Sequence, residues 1–148
     1  MNPGAAATAD PLPPPVRRLF AALTHAGGPQ SATAEAVGGR QRWVSGEAGR
    51  ERHGTRVRFL LRLDRERLLE VRYRVYGCPH TLAACEWLSQ QLECAGRDPG
   101  WARGEPLGRP ADWAAALQIP AAKLGRLLVV EDALKSALEA ADKTMTDW

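Results

Sequence analysis

The chain has 148 residues, which is long enough for one domain with a hydrophobic core. Its 45% hydrophobic and 25% charged residues are typical of a globular protein, and a net charge of +3 is too small to indicate a nucleic-acid-binding protein. No apolar run reaches the length of a membrane span, and the first fifteen residues lack the features of a secretory signal. We therefore expect a cytoplasmic protein that has neither nucleic acid nor membrane as a partner.

The N-terminal part of the chain carries weak structural signals. Residues 1–15 are rich in alanine and proline and are predicted to be a disordered tail, while residues 16–148 are predicted to form a single domain. Residues 15–23 have the apolar spacing of a short helix, with proline in its first turn. A connection rich in glycine and alanine follows, and residues 40–47 predict a short strand.

Two segments in the middle of the chain alternate between apolar and charged residues. In residues 55–63 the alternation places these apolar side chains on one face: Val57, Phe59, Leu61 and Leu63. In residues 69–76 it does the same for Leu69, Val71, Tyr73 and Val75. A period of two with a short polar link predicts an antiparallel hairpin. The opposite face carries Arg56, Arg58, Arg62, Arg72 and Arg74, which indicates a solvated face or, alternatively, a surface for an acidic partner protein or nucleic acid.

The period changes to a helical one after residue 78. A helix from that residue has an apolar stripe of Leu82, Cys85, Leu88 and Leu92. A short helix at residues 111–119 ends before Pro120. Residues 123–145 predict a last, longer helix, whose apolar face consists of Leu127, Val130, Leu134, Ala137, Leu138 and Ala141. The predicted fold is therefore α+β, with an antiparallel sheet of about three strands and helices packed on one face.

Cys78 lies at the corner between the second hairpin strand and the following helix. Backbone N–H groups and the helix dipole favour a thiolate at a helix N-terminus, so this position suits a reactive thiol or a metal ligand. An inert thiol at the start of a helix is the simpler alternative. The three cysteines lie in one short segment, which is a poor disulfide framework. No enzyme motif is present, and we do not expect an enzyme.

Three segments in order resemble a known family. "YGCPHTLAAC" begins at Tyr76, "IPAAK" begins at Ile119 and "KLGRLLVVEDALKSAL" begins at Lys123. After a strand hairpin, they resemble the motifs of the IscU/NifU N-terminal family of iron–sulfur cluster assembly scaffold proteins, over roughly residues 16–141. The resemblance implies assembly of a [2Fe–2S] cluster on three cysteines, with a cysteine desulfurase and a chaperone as partners.

The resemblance assigns the cluster ligands one by one. Cys78 stands at the middle cysteine, His53 at the first cysteine and Arg126 at the third, so only one thiol is kept. It therefore implies Cys78 and His53 as ligands of iron or of an iron–sulfur cluster, and Arg126 as a partner of the Cys78 thiolate. Zinc held by these two residues and His80 is an alternative. His53, Cys78 and Arg126 are predicted to meet at one end of the sheet.

The resemblance also implies a chaperone-binding segment made of Ile119, Pro120, Ala121, Ala122 and Lys123. Two functions then remain open. The first is a divergent or accessory scaffold protein whose Cys78 accepts sulfur or metal, without a stably held cluster. The second is a protein-binding module that keeps the scaffold fold and uses its basic sheet face.

Overall fold

A computed structural model describes residues 12–28, 41–97, 100–102 and 107–146. Within these residues there are four α-helices and three strands, together with two short 3₁₀ turns at Glu51–His53 and Ala121–Lys123. The helices are α1 (Pro14–Phe20), α2 (Pro79–Ala95), α3 (Pro110–Leu117) and α4 (Leu124–Thr146), and the strands are β1 (Gln41–Arg50), β2 (Thr55–Asp64) and β3 (Arg67–Tyr76). The predicted α+β class is confirmed. Most of the predicted disordered tail, residues 1–11, lies outside the described residues.

The three strands form an antiparallel sheet in the order β1-β2-β3. The weakly indicated first strand is real and longer than its pattern suggested, and it pairs with β2 along its whole length. The predicted hairpin of β2 and β3 is confirmed as well. Beyond β3, Ala26 forms an isolated parallel bridge with Tyr73, so residues 25–27 cover part of the outer edge of the sheet.

The inner face of the sheet carries the core, and one predicted core position is wrong. Val57, Phe59, Leu61 and Leu63 are fully buried, as the alternation of β2 indicated. In β3, however, Leu68 is buried and the predicted Leu69 is only half-buried. The pairing register shifts between Arg62 and Leu63 and places Leu68 opposite Leu63, so these two leucines share one face.

The helices cover the inner face through the predicted apolar stripes. In α2 the residues Cys85, Leu88 and Leu92 are fully buried, whereas the predicted Leu82 is half-buried. In α4 the buried residues include Leu127, Val130, Leu134, Ala137 and Ala141. No helix in the described part of the chain is long and apolar enough to cross a membrane.

We expect a Gly46→Ala variant to be destabilised, because α4 crosses β1 directly over this glycine. A Cβ atom on Gly46 would lie 2.0 Å from the backbone nitrogen of Ala137 and 2.6 Å from the carbonyl oxygen of Ala133. Relieving this overlap requires the strand and the helix to move apart, at a cost of about 1–3 kcal/mol in the free energy of unfolding. Urea denaturation measures it, with Ser45→Ala on the exposed side of β1 as the control. Equal midpoints for both variants would contradict this packing.

Candidate functional site

Cys78 is the N-cap residue of α2. Strand β3 ends at Tyr76, and Cys78 has an extended backbone conformation, with φ −87° and ψ 168°, before Pro79 begins the helix. Its half-buried thiol faces the first turn, where the sulfur lies 3.4 Å from the Thr81 hydroxyl and 4.0 Å from Nδ1 of His80. The thiol is thus held against the positive end of α2.

These surroundings lower the pKa of Cys78. Burial by itself would raise the pKa of the thiol. The Thr81 hydroxyl, the backbone N–H groups of Thr81 and His80, and the positive charge of Arg126 act in the opposite direction and outweigh it. The charge of Arg126 is the smallest of these contributions, so the direction agrees with the predicted partnership between Arg126 and Cys78, which stays a prediction. A lowered pKa increases the fraction of nucleophilic thiolate at neutral pH.

The topology places the three predicted site residues at the same end of the sheet. His53 ends the 3₁₀ turn between β1 and β2, and Arg56 near the start of β2 pairs with Tyr76 at the end of β3. The first turns of α4 reach this end too, because the side chain of Val129 packs beside Gly49 of β1. His53 is exposed, however, and its imidazole makes no hydrogen bond with a described residue. The charge of Arg126 thus contributes to the lowered pKa of Cys78. For His53 the structure shows only a position at the same end of the sheet.

The residues around Cys78 do not fit an iron–sulfur cluster or a zinc ion. Within residues 12–28, 41–97, 100–102 and 107–146, no group of three or more His, Cys, Asp or Glu side chains is placed to hold a metal ion. Cys85 is fully buried in the core, and Cys94 is exposed near the far end of α2. Arg126 adds a cation where a metal site needs anionic or neutral donors. The arrangement fits a single reactive thiol.

The segment that resembles a chaperone-binding motif joins α3 to α4. Ile119 is only 6% exposed and belongs to the core. The residues open to a partner are Pro120, Ala121 and Ala122, and Lys123 is half-buried. Lys123 precedes α4 directly, and the three exposed residues lie four to six positions before Arg126 in the chain.

Sequence reasoning missed a second polar cluster, which is centred on Glu86 of α2. The Glu86 side chain is fully buried. It accepts hydrogen bonds from the Tyr73 hydroxyl at 3.0 Å, the Gln90 amide at 3.0 Å and the Thr24 hydroxyl at 3.1 Å. It also accepts bonds from the backbone N–H of His25 at 2.9 Å and from Nδ1 of His25 at 2.5 Å. The sequence did contain a signal for this cluster, because the charged residue Glu86 directly follows Cys85 in the buried stripe of α2.

The second ring nitrogen of His25 contacts Glu93, so the imidazole lies between two carboxylates of α2. Burial lowers the pKa of His25, whereas the hydrogen bonds and charges of Glu86 and Glu93 raise it. The second effect is larger, so the net pKa lies above its ordinary value. Burial raises the pKa of Glu86, and the donors from His25 and Gln90, with the charge of His25, lower it to a net value below normal. The cluster joins residues 24–27 to α2 and β3, and the contact between His25 and Glu86 is an ion pair when His25 is protonated.

Comparison with models of protein families finds no match for this chain, and comparison with curated proteins finds no significant match. The resemblance to the IscU/NifU family therefore stays a prediction that depends on the three sequence segments.

Proposed function

We propose that this protein is a divergent accessory member of the iron–sulfur cluster assembly scaffold family, and that Cys78 accepts sulfur from a persulfide donor. The observation that carries the proposal is the Cys78 thiol at the start of α2, with its lowered pKa and Arg126 beside it. The order of a three-stranded sheet, a cysteine at a helix start and a last long helix supports the family assignment.

The sulfur transfer needs one nucleophile and no metal. The Cys78 thiolate attacks the outer sulfur of a donor persulfide, R–S–SH, and forms a new sulfur–sulfur bond. The bond between the two donor sulfurs breaks, and its electron pair leaves with the inner sulfur as R–S⁻. The products are a Cys78 persulfide and a donor thiolate, so atoms and electrons balance without a further oxidant. Thr81 and Arg126 favour the thiolate that begins this step.

Incubation with glutathione persulfide should add one sulfur atom to Cys78. The product is measured by trapping with an alkylating reagent and by mass spectrometry of the intact protein and its peptides. Cys78→Ser should lose this addition, and Thr81→Val should slow it, because valine has the shape of threonine without the hydroxyl that favours the thiolate. Addition mainly at Cys94, or an equal rate in Thr81→Val, would contradict the role of Cys78.

The alternative function is a protein-binding module that uses the basic face of the sheet and in which Cys78 accepts no sulfur. The observation that favours it is the array of arginines on the outer face. A Cys78 that accepts no sulfur, together with preserved binding of a partner at the sheet, would favour this second function.

A further inference from the structure

The outer face of the sheet carries five arginines, and three of them have carboxylate partners. Arg62 and Arg72 both bind Glu70, at 3.1 and 2.5 Å. Arg56 binds Glu47 at 2.6 Å and lies 3.7 Å from Glu51. These pairs largely neutralise the two ends of the arginine array.

The other two arginines face each other, and neither has a carboxylate partner within the described part of the chain. Arg58 of β2 lies directly opposite Arg74 of β3 in the pairing register. Neither makes an ion pair with a described residue, and Glu47, which is opposite Arg58 on the other side, is bound to Arg56. Like charges directly opposite each other destabilise a sheet. Such a pair fits a surface that binds an anion.

The two arginines line an open pocket of about 370 Å³. Its other charged lining residues are Glu47, Glu51 and Arg56, so the charges in the pocket sum to one net positive charge. A single carboxylate matches this net charge, whereas a phosphate dianion exceeds it. Tyr76, which is 55% exposed, adds an apolar wall for a neighbouring aliphatic side chain.

The guanidinium of Arg74 is held in place from the side of the sheet edge. It lies so close to Gly28 that a Cβ atom on this glycine would be 2.7 Å from Nε of Arg74. The chain just before Gly28 is fixed by hydrogen bonds between its backbone and Tyr73. A cation with restricted motion loses less entropy when it binds a carboxylate.

One residue that lines the pocket is close to Cys78 in the chain. Tyr76 is two residues before Cys78, so their Cα atoms are at most about 7 Å apart. A protein whose acidic segment occupies this pocket would therefore have the rest of its surface near Cys78.

We propose that Arg58 and Arg74 form a carboxylate-binding site that docks an acidic segment of the protein that delivers sulfur to Cys78. The identity of the docked protein as a sulfur donor rests on the function proposed above, whereas the carboxylate site itself rests only on the sheet. An Asp or Glu side chain enters between the two guanidiniums, and an adjacent apolar residue packs on Tyr76.

The probe is a fluorescein-labelled synthetic peptide of alternating glutamate and leucine, measured by fluorescence anisotropy. Arg58→Glu and Arg74→Glu should each weaken its binding by about tenfold or more, because each reversal replaces attraction by repulsion. The matched control is Arg52→Glu, which makes the same charge change on the exposed 3₁₀ turn at the same end of the sheet but outside the pocket lining. The affinity of this variant for the peptide should stay within about twofold of the wild-type affinity, because solvent and salt screen exposed charges.

A milder variant separates binding from folding. Arg74→Gln should weaken peptide binding and leave the thermal unfolding midpoint unchanged or raise it, because it removes a like-charge pair from the sheet. A lowered midpoint together with unchanged peptide binding would overturn the proposal. So would an equal loss of binding in Arg52→Glu, or tighter binding of a single-stranded oligonucleotide than of the peptide.

Sulfur transfer from cysteamine persulfide tests the thiol independently, because this small donor has no carboxylate that the pocket could bind. The control variant Arg52→Glu should accept sulfur from it at close to the wild-type rate, and Cys78→Ser should bind the peptide like the wild type. Failure of sulfur transfer with intact peptide binding would overturn the sulfur-acceptor function alone. Failure of peptide binding with intact sulfur transfer would overturn the docking site alone.

Discussion

At neutral pH, iodoacetamide should label Cys78 first, Cys94 more slowly and Cys85 only when the protein unfolds. Hydrogen bonds and the charge of Arg126 favour the Cys78 thiolate, which is the form that reacts. Cys85 is fully buried, and its burial, with the charge of Glu86, raises its pKa. We expect Cys78 to react about tenfold faster than Cys94, because more of it is thiolate. Peptide mass spectrometry after short labelling times measures the three rates.

Two variants identify the source of this reactivity. Arg126→Gln and Thr81→Val should each slow the labelling of Cys78 and leave that of Cys94 unchanged, because both residues act on the Cys78 thiolate alone. Repeating the labelling over a range of pH should show the midpoint for Cys78 moving to higher pH in each variant. Faster labelling of Cys94 than of Cys78 in the wild type would contradict the geometry of the site.

Replacement of Glu86 by alanine should lower the free energy of unfolding by about 3–5 kcal/mol, the usual cost of removing one partner from a buried ion pair. The substitution leaves the donors of His25, Tyr73 and Gln90 without their common acceptor. It also releases residues 24–27 from α2, so their amide protons should exchange faster. Urea denaturation and hydrogen exchange measure these two effects. Glu139→Ala, an exposed glutamate of α4, is the control that should change neither.

The same cluster should make stability depend on pH in a definite direction. The raised pKa of His25 means that its contribution is complete below its ordinary value of 6.5 and is lost as the pH rises through the higher folded value. The lowered pKa of Glu86 means that its contribution is complete above 4.5 and is lost as the pH falls through the lower folded value. The difference between wild type and Glu86→Ala should therefore be largest between pH 4.5 and 6.5. A difference that grows above pH 6.5 would show that the pair is not an ion pair.

The two polar clusters have different roles on the same helix. The first turn of α2 presents Cys78 toward the end of the sheet, where Arg126 also acts. Two turns further on, Glu86 ties the same helix to β3 and to the segment before β1. Because Cys78 and Glu86 share one helix, the buried cluster helps to fix the orientation of the thiol.

The spacing of apolar residues along the chain predicted most of the fold. The alternation of β2 is strict, so it indicated both the strand and the side chains that enter the core. The apolar stripes of α2 and α4 indicated these two helices and most of the side chains that they bury. Leu69 was assigned to the core in error, because a register shift depends on how two strands meet and leaves no periodic signal in either of them.

The candidate site was predicted only in part. Proline and a cysteine after an alternating strand located the thiol at a helix start, since this depends on neighbouring residues alone. The resemblance suggested that Arg126 acts near Cys78, and this stays a prediction, although the charge of Arg126 contributes to the lowered pKa of the thiol. It also suggested His53 as a ligand, and this remains a prediction, because the structure brings His53 to the same end of the sheet without a contact to Cys78.

The sequence by itself therefore determined most of the elements, most of their inward-facing side chains and the position of the Cys78 thiol, because each depends on residues within a few positions of one another. Only the tertiary structure decided the partners of Glu86 and the unneutralised pair of Arg58 and Arg74. His25 and Glu86 are 61 positions apart, and their contact exists only when the N-terminal segment lies against α2. The arginine pair depends on the strand register and on which carboxylates the neighbouring arginines have already bound, which is a property of the whole face.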